Sequence, residues 1–405
     1  MDKNSLFSVA EQTAQWMIAN QVFNRLDANK GRTINCYESV SGHLDLTTSW
    51  QTGGVCMGLL AMYKRTGEKA YLDRAELAGR YIMSLQVMDP RQECYYGTIR
   101  ECTPQSLEFC PRDATTAAWA FIWLYEATQN SEYLDRAILF GNWHMKHGMY
   151  KGWPLWAVFM DGEFTDYYAR GSFQSGTGLF YHDLFMATGD TRYIEFGLEP
   201  IARIYRDEFF LEDGSIIPQR DVFTNKITKL KPQTVETDIH GFNDDFGTAM
   251  LQAAADLFGD ESYRQTARKF AHWLADHQES DGGFRNKKAE VHSAVPMAMM
   301  YFDELGTFFR DEKLLAARDK ALTKLLSMQV SGTGDVKLDG GFRGMFDTLK
   351  SREEDMCVHM RTSMYALIAL LKLEGKVSGV WLGNKNRRFI DPLDQSEEIP
   401  YQFKW

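Results

Sequence analysis

The chain has 405 residues, of which 44% are hydrophobic, and its formal net charge is -10 at neutral pH. This length and apolar content suffice for one large core, and no Pro/Ser-rich linker or low-complexity run divides the chain. The negative charge argues against a nucleic acid or an anionic membrane as a partner, and no apolar window approaches a membrane span. We therefore predict a single domain over residues 1–405.

The first residues, MDKNSLFSV, lack the basic and apolar regions of a secretory leader, so we expect a cytoplasmic protein. Six cysteines are too few for a disulfide framework in a chain of this length. Cys94, Cys102 and Cys110 share one connection, but no CxxC motif accompanies them, which gives no signal for a metal site. We predict no metal and no other cofactor, and the oligomeric state stays open.

Pairs of apolar stripes at helical spacing recur along the chain, and each pair is joined by a turn of only a few residues. Such a short turn forces the two helices to lie antiparallel as a helical hairpin. The hairpins are predicted over Trp50–Gln86, Asp113–Gly148, Phe173–Phe210, His240–Phe284 and His292–Gln329.

Two further apolar stripes have no hairpin partner in sequence. Ser5–Phe23 resembles the second helix of a hairpin, and Arg361–Leu373 resembles a first helix. One unpaired helix at each end predicts that these two helices pack together and close a ring. The predicted fold is thus an all-α (α/α)6 barrel of six helical hairpins, with residues 375–405 as a tail that wraps around the barrel.

The lengths of the connections indicate where the functional site lies. Turns within a hairpin are tight, whereas every connection from one hairpin to the next is long. In a closed ring of antiparallel hairpins, all long connections emerge on one face, at the N-termini of the first helices. We expect the site on that face, because loops on a rigid scaffold carry binding and catalytic residues. Helix N-termini there also offer unpaired N–H groups to carboxylates and anions.

The long connections are rich in aromatic side chains and arginines. Sugar rings present C–H patches and hydroxyl edges, which suit aromatic faces and fork-shaped donors. We predict contacts with an oligosaccharide from Trp50, Tyr168 and Arg170, and above all from Trp153 and Trp156, whose loop has little helix to pack on. For the other loop aromatics, packing against the ring is the favoured interpretation.

The stretch HGFNDD, from His240 to Asp245, contains the strongest chemical constellation. Only one of the adjacent carboxylates Asp244 and Asp245 can cap the following helix; the other would face the cavity, where burial and negative charge raise its pKa toward that of a general acid. Asp113 occupies the corresponding start of another first helix. Two carboxylates from different hairpins are what glycosidic cleavage requires. A plain capping role remains the alternative for each of them.

Three histidines repeat this position along the chain. His240, His292 and His359 each lie at the start of a successive first helix. They could converge on zinc, but their separation carries no ligand-spacing signal, so we favour proton transfer or hydrogen bonding to sugar hydroxyls. His359 and Arg361 together could clamp a carboxylate, and a structural ion pair of Arg361 with a loop acid is the alternative.

Two Asp-Gly-Gly-Phe turns, at Asp281–Phe284 and Asp339–Phe342, accompany the hairpins. With these turns, the chain resembles the (α/α)6-toroid carbohydrate enzymes, which include glycoside hydrolases, unsaturated glucuronyl hydrolases, polysaccharide lyases and sugar epimerases. The resemblance in architecture covers almost the whole chain. Tyr168-Ala169-Arg170-Gly171 is similar to the W-A-R-G segment of unsaturated glucuronyl hydrolases, with Tyr in place of Trp. Terpene cyclases share the toroid, but their D-x-D-D motif is absent from this sequence.

Together, the residues and the resemblance favour a glycoside hydrolase acting on an oligosaccharide that contains a uronic acid. In this interpretation, Asp113 and either Asp244 or Asp245 act as the acid/base carboxylates. Arg170 or Arg361 would hold the carboxylate of the sugar.

Two alternatives stay open. In a polysaccharide lyase or uronate C5-epimerase, His240 or Tyr168 would remove the proton next to a uronate carboxylate that Asn243 or an arginine neutralises. A non-catalytic glycan-binding toroid would need the aromatic residues but not the acids.

Overall fold

The computed structural model describes residues 3–160, 169–221, 223–227, 241–286, 290–344 and 357–375. Twelve α-helices make up most of these residues, and short β-strands lie in the connections between them. The all-α prediction is therefore confirmed. His240 and Tyr168, and all but the first residue of the proposed C-terminal tail over residues 375–405, lie outside the described residues. None of the helices in the described ranges is both long and apolar enough to cross a membrane.

Six helices form an inner ring around the barrel axis. In order, they are α2 (Ser49–Thr66), α4 (Pro111–Thr128), α6 (Thr177–Thr188), α8 (Gly247–Phe258), α10 (Ala294–Phe309) and α12 (Met360–Glu374). Residues on all sides of these helices are buried, as in α2, where every residue from Ser49 to Met62 is buried. Burial all round is what a helix enclosed by other helices requires. A side-chain bond from Gln252 to Glu304, at 2.9 Å, links α8 to α10.

Six outer helices surround this ring and bury only one face each. They are α1 (Lys3–Ala19), α3 (Lys69–Leu85), α5 (Ser131–His147), α7 (Glu199–Glu208), α9 (Glu261–Asp276) and α11 (Glu312–Met328). A π-helical turn, Ile194–Leu198, leads into α7. Five outer helices pack against the inner helix that precedes them in sequence, as the hairpin pattern predicts.

The tight turns within the hairpins share one backbone conformation. Each contains a residue in the left-handed region, which lets the chain reverse directly after the inner helix. These residues are Gly67 (φ 74°), Gln129 (φ 59°), Gly189 (φ 71°), Gly259 (φ 65°) and Arg310 (φ 54°). In three turns, a side-chain oxygen of Asn130, Asp260 or Asp311 then caps the outer helix.

The ring closes through the two terminal helices, as predicted. Helix α1 packs against α12. It is also fastened to the connection after α11, because the indole of buried Trp16 donates to the carbonyl of Lys337 at 2.9 Å and the hydroxyl of Thr13 donates to the carbonyl of Gly340 at 2.9 Å. The closed toroid, rather than an open solenoid, is the observed arrangement.

The strands lie in the long connections, on the face where the inner helices begin. Strands β1 (Ile34–Glu38), β2 (Leu44–Leu46) and β9 (Cys357–His359) form an antiparallel sheet in the order β2-β1-β9. The other strands pair two by two: β3 (Glu108–Phe109) with β6 (Val158–Phe159), β4 (Met149–Tyr150) with β5 (Trp153–Pro154), and β7 (Ala169–Gly171) with β8 (Gln219–Asp221). These pairings hold the loop face above the barrel and position the side chains described next.

Candidate active site

Asp245, directly before α8, lies at the mouth of the barrel. The phenol of Tyr365 on α12 donates to its carboxylate at 2.7 Å, and the guanidinium of Arg112 on α4 donates to its backbone carbonyl at 3.2 Å. Helices α4, α8 and α12 alternate around the inner ring, so these bonds reach Asp245 from two other sides of the barrel. Asp245 is therefore held over the barrel axis and not at its rim.

The backbone at this point adopts an uncommon conformation. Asp245 and Phe246 are consecutive non-glycine residues with positive φ, at 44° and 79°. Such strain persists where surrounding contacts enforce it, and it concentrates at functional sites. Here the side chain of Asn243 accepts from the Asp245 N–H at 3.0 Å, and a Cβ placed on Gly176 would lie 2.0 Å from the Asp245 carbonyl oxygen. The turn thus requires glycine at position 176.

Asp244 and Asp245 are both buried, with exposed fractions of 0% and 3%, but their hydrogen-bond partners differ. The Asp244 carboxylate accepts from the hydroxyls of Tyr205 (2.9 Å), Tyr301 (2.6 Å) and Thr248 (2.6 Å), and from the Thr248 N–H (2.6 Å). Burial raises the pKa of Asp244, and these hydrogen bonds oppose the shift. Phe246 holds the N-cap position of α8, and Asp244 caps the helix from outside by accepting the Thr248 N–H of its first turn. The Asp244 carboxylate is fully enclosed and has no surface left for a ligand.

Asp113 forms a carboxyl pair with Glu101. Asp113 lies in the first turn of α4, where Cys110 holds the N-cap position, and it hydrogen-bonds the Glu101 side chain. Burial first, and the charge of Asp113 second, raise the pKa of Glu101 well above its usual range. Burial also raises the pKa of Asp113, while the cations of Arg112 and Arg361 oppose that shift. The two acids therefore share a proton that Glu101 retains more strongly.

The charge of Asp245 also raises the pKa of Asp113, so the third carboxylate lies within electrostatic reach of the pair. Glu101 belongs to the connection between α3 and α4, and it also contacts the start of α2, where Ser49 donates to its carboxylate at 3.3 Å. Glu101 was not among the residues predicted for the site. A glutamate in an irregular connection carries no periodic or capping signal, and only the folded connection brings it to Asp113.

Arg361 and Trp50 form the wall beside the carboxyl pair. The guanidinium of Arg361 lies over the ring of Trp50, 4.7 Å from its centroid, which is a cation–π contact. Trp50 in turn meets Tyr365 edge-on at 6.4 Å, and Phe246 meets Tyr365 edge-on at 5.1 Å. The predicted residues Asp113, Asp245, Trp50 and Arg361 thus converge on one part of the loop face.

His359 and His292 lie near this group and are held neutral. The Nδ1 atom of His359 accepts from the Arg361 N–H at 3.0 Å and caps α12, which places the ring proton on Nε2. Burial, together with Arg361 and His292, lowers the pKa of His359 to about 3. Burial likewise lowers the pKa of His292, whose Nε2 lies 3.5 Å from the carboxylate of Glu290. In this tautomer, the Nε2–H of His359 is a hydrogen-bond donor.

Trp153 packs into the protein and does not present a free face. Its side chain is 1% exposed, its ring stacks on Phe209 at 4.8 Å, and its indole N–H donates to Gln174 at 3.2 Å. The expectation that its loop has few packing partners is wrong, because the end of α7 supplies them. Trp156 is half-buried, and its ring meets Phe173 edge-on at 4.6 Å.

The side chains of Arg170 and Asn243 also form contacts within the protein. The guanidinium of Arg170 pairs with the carboxylate of Glu208 at 3.1 Å and donates to the carbonyl of Lys151 at 3.3 Å, so it points toward the outer helix α7. Asn243 is completely buried and donates to Ser293 at 3.2 Å. It shapes the turn at Asp245 and does not reach a ligand directly.

Solved structures with the same architecture are found across nearly the full length of the chain. A cellobiose 2-epimerase from Bacillus thermoamylovorans has a TM-score of 0.71 at 14% identity, with 93% of this chain and 99% of that chain covered. The fold is an (α/α)6 toroid.

Two other toroids extend the comparison. An unsaturated glucuronyl hydrolase from a Bacillus species, responsible for the degradation of glycosaminoglycan, has a TM-score of 0.70 at 15% identity over 94% of this chain and 100% of that chain. An inactive variant of an α-1,6-mannanase from a Salegentibacter species, in complex with α-1,6-mannotriose, has a TM-score of 0.63 at 13% identity. The comparison covers 92% of this chain and 99% of that chain. No protein-family model matches the chain, and no curated protein sequence does so. Identities this low establish the toroid fold alone.

Proposed function

We propose that this chain is a glycoside hydrolase that cleaves an oligosaccharide by carboxylate acid/base catalysis. The observation that carries the proposal is the convergence of Glu101, Asp113 and Asp245 at the mouth of the barrel. Glycosidic cleavage needs one carboxyl group that holds a proton for the leaving oxygen and a second that stays ionised. The proton-sharing pair and the separate Asp245 meet these two requirements.

The roles follow from the environments of the three acids. The Glu101–Asp113 pair retains a proton above the usual range of a carboxyl group, so it acts as the general acid toward the departing sugar oxygen. Asp245 accepts a hydrogen bond from Tyr365 and acts as the base or nucleophile on the other side of the scissile bond. Asp244 positions this turn by capping α8.

The substrate we propose contains a uronic acid. Arg361 supports this, because its guanidinium lies over Trp50 and close enough to Asp113 to lower that residue's pKa. Trp50 is only 3% exposed, so its ring supports the guanidinium from below, and the edge of the guanidinium can bind a sugar carboxylate. Among the similar toroids, the unsaturated glucuronyl hydrolases act on such sugars by name. Arg170, the other candidate, is paired with Glu208.

An epimerase or lyase is the second candidate, and His292 is the observation in its favour. Burial lowers the pKa of His292, so the imidazole is neutral at pH 7, and its Nδ1 atom has no hydrogen-bond partner among the described residues. A neutral imidazole can abstract a carbon-bound proton, and His359 can supply an Nε2–H. Two of the similar toroids are sugar epimerases.

Turnover of matched variants tests the proposal. The probes are an unsaturated glucuronyl disaccharide, α-1,6-mannotriose and cellobiose, and the readouts are released sugar and isomerised sugar. Hydrolysis predicts that Asp245→Asn and Asp113→Asn lose roughly 10² to 10⁴ in kcat with little change in KM, whereas His292→Ala loses less. The control is Asp256→Asn, at the far end of α8. The reverse order, with His292→Ala inactive and the Asn variants active, supports the epimerase or lyase instead.

A glycan-binding toroid without catalysis predicts a third result. One of the sugars would then bind, as measured by calorimetry, and no product would form at any enzyme concentration. Asp245→Asn and Asp113→Asn would leave the affinity unchanged, because neither acid would have a chemical role.

A further inference from the structure

Two cysteines that are 321 residues apart in sequence meet in the small sheet of the loop face. Cys36 on β1 and Cys357 on β9 are each about 95% buried, and their Sγ atoms lie 3.3 Å apart. In the antiparallel register, Cys357 lies opposite Glu38, and Cys36 lies opposite His359. Alternate residues of a strand share one face of a sheet, so Cys36, Glu38, Cys357 and His359 are on the same face.

The carboxylate of Glu38 completes a compact group of three donor atoms. One oxygen of Glu38 and the Sγ atoms of Cys36 and Cys357 all lie within 4.8 Å of one another. Glu38 is half-buried at the end of the central strand β1. Among the described residues, its carboxylate also accepts a hydrogen bond from the hydroxyl of Ser41 at 2.8 Å. Two thiols and a carboxylate are a donor set that suits a thiophilic divalent cation.

The distance between the sulfur atoms favours a shared metal over a disulfide. Two thiolates bound to one tetrahedral zinc at about 2.3 Å lie roughly 3.8 Å apart, whereas a disulfide needs about 2.05 Å. From the observed 3.3 Å, the two sulfur atoms would have to move apart by about 0.5 Å to share a metal. They would have to approach by more than 1 Å to form a disulfide.

The surrounding charge is also that of a cation site. The carboxylates of Asp45 and Glu38 both lie within electrostatic reach of the Cys36 thiol. Asp45 is itself held in place, because its two oxygens accept from the Cys36 N–H at 2.8 Å and from the amide of Asn35 at 3.1 Å. A divalent cation would relieve this concentration of acceptors and displace the thiol protons.

We propose that Cys36, Cys357 and Glu38 bind a thiophilic divalent cation, with Zn²⁺ as the simplest candidate and a water molecule in the fourth position. The metal would join β1, near the start of the chain, to β9, which leads directly into His359 and Arg361. A cross-link of this kind closes a very long loop and fixes the strand that delivers two residues of the candidate active site. Its role is structural, and it takes no part in the proposed hydrolysis.

A second group, Glu101, Cys110 and Asp113, also has donor atoms within 4.8 Å of one another, so the experiment must separate the two. Full-length protein is stripped with a chelator in the presence of a reductant and titrated with Co²⁺, whose thiolate bond gives a charge-transfer absorption. We expect one equivalent to bind, with this absorption retained in Cys110→Ser and lost in Cys36→Ser and Cys357→Ser. Glu38→Gln should weaken binding by at least about tenfold. Cys56→Ser, which removes a buried thiol of α2, is the matched control.

X-ray absorption of the Zn²⁺-loaded wild-type protein identifies the ligand atoms directly. It does not depend on whether the cysteine variants fold. Two sulfur and two oxygen or nitrogen ligands support the site, and a shell of oxygen or nitrogen alone overturns it. The proposal is also overturned if the fully reduced protein gives no thiolate absorption with Co²⁺, or if the absorption disappears in Cys110→Ser and persists in Cys36→Ser. Isolation of a Cys36–Cys357 disulfide from protein that binds no metal after reduction would assign the pair to redox chemistry instead.

Discussion

Asp244 and Asp245 are consecutive in the chain, but their carboxylates serve different parts of the molecule. Asp244 accepts four hydrogen bonds, from two tyrosines and from the N–H and hydroxyl of Thr248, and thereby fixes the start of α8. Asp245 has a left-handed backbone conformation, and its carboxylate accepts a hydrogen bond from Tyr365 at the mouth of the barrel. The division of one acidic pair into a cap and a site residue is the local basis of the proposed function.

This division predicts that the two Asn variants fail in different ways. Asp244→Asn replaces an acceptor oxygen by an NH₂ group, and each buried donor left without a partner costs about 1 to 3 kcal/mol in the free energy of unfolding. Asp245→Asn should unfold within a few degrees of the wild type but lose roughly 10² to 10⁴ in kcat. Urea denaturation and turnover measured side by side check this. An Asp244→Asn variant that is stable but inactive would contradict the assignment.

The carboxyl pair predicts a pH-dependent difference in stability between the wild type and Glu101→Gln. The pKa of Glu101 is raised in the folded state, so its contribution to stability is fully present below the unfolded pKa of about 4.3 and is lost as the pH rises through the folded value. Gln keeps a donor toward Asp113 without the charge. The Tm of Glu101→Gln should therefore rise relative to the wild type as the pH increases above about 4, while activity falls.

Scanning calorimetry from acidic to alkaline pH measures this difference. Glu93→Gln, which removes an exposed acid from the same connection, is the control and should track the wild type. Parallel Tm curves for the wild type and Glu101→Gln would show that Glu101 is ionised at neutral pH and holds no proton for Asp113.

Substitution of the two tryptophans of the 151–156 loop should have different effects. Trp153 is stacked on Phe209 and fully enclosed, so Trp153→Ala should cost about 3 to 5 kcal/mol in the free energy of unfolding. Trp156 is only half-buried, so Trp156→Ala should weaken oligosaccharide binding by roughly 1 kcal/mol with a small change in Tm. Chemical denaturation and calorimetric binding decide between them. Equal stability losses in both variants would place Trp156 in the packing of the loop.

Closure of the ring predicts that substitution of Trp16, which lies far from the site, strongly lowers the stability of the protein. Its buried indole joins α1 to the connection after α11, so Trp16→Ala should cost about 3 to 5 kcal/mol in the free energy of unfolding. Removal of α1 altogether would expose the apolar side of α12 and should abolish cooperative unfolding. Phe23→Ala, which changes an exposed aromatic just beyond α1, is the matched control. A Trp16→Ala variant as stable as this control would argue against closure through α1.

The fold was predictable because its signals are local. Helical periodicity and tight turns such as Gly67 and Gly259 recur within a few dozen residues, and the two unpaired helices then leave only a closed ring. Boundaries were less accurate: α1 ends at Ala19, not at Phe23, because the chain turns there into the connection before β1.

The candidate site was only partly predictable, because it depends on how the irregular connections fold. The pattern of two adjacent acids indicated one cap and one carboxylate that faces the cavity, but not which was which, since that depends on Tyr205 and Tyr301 from other hairpins. The pairing of Glu101 with Asp113, and of Cys36 with Cys357, has no sequence signal at all. Trp153 was misjudged for the same reason, because the surface it packs on belongs to α7.

Turnover in D₂O tests the central claim most directly, because each candidate reaction leaves a different mark on the sugar. A saturated glucuronyl disaccharide, α-1,6-mannotriose and cellobiose are each incubated with the wild type and with Asp245→Asn, and the products are analysed by mass spectrometry and NMR. A hydrolase splits its substrate into two smaller sugars that carry no carbon-bound deuterium, and Asp245→Asn abolishes the cleavage. Carbon-bound deuterium in an uncleaved sugar isomer, or cleavage that yields an unsaturated uronate, would contradict the proposal.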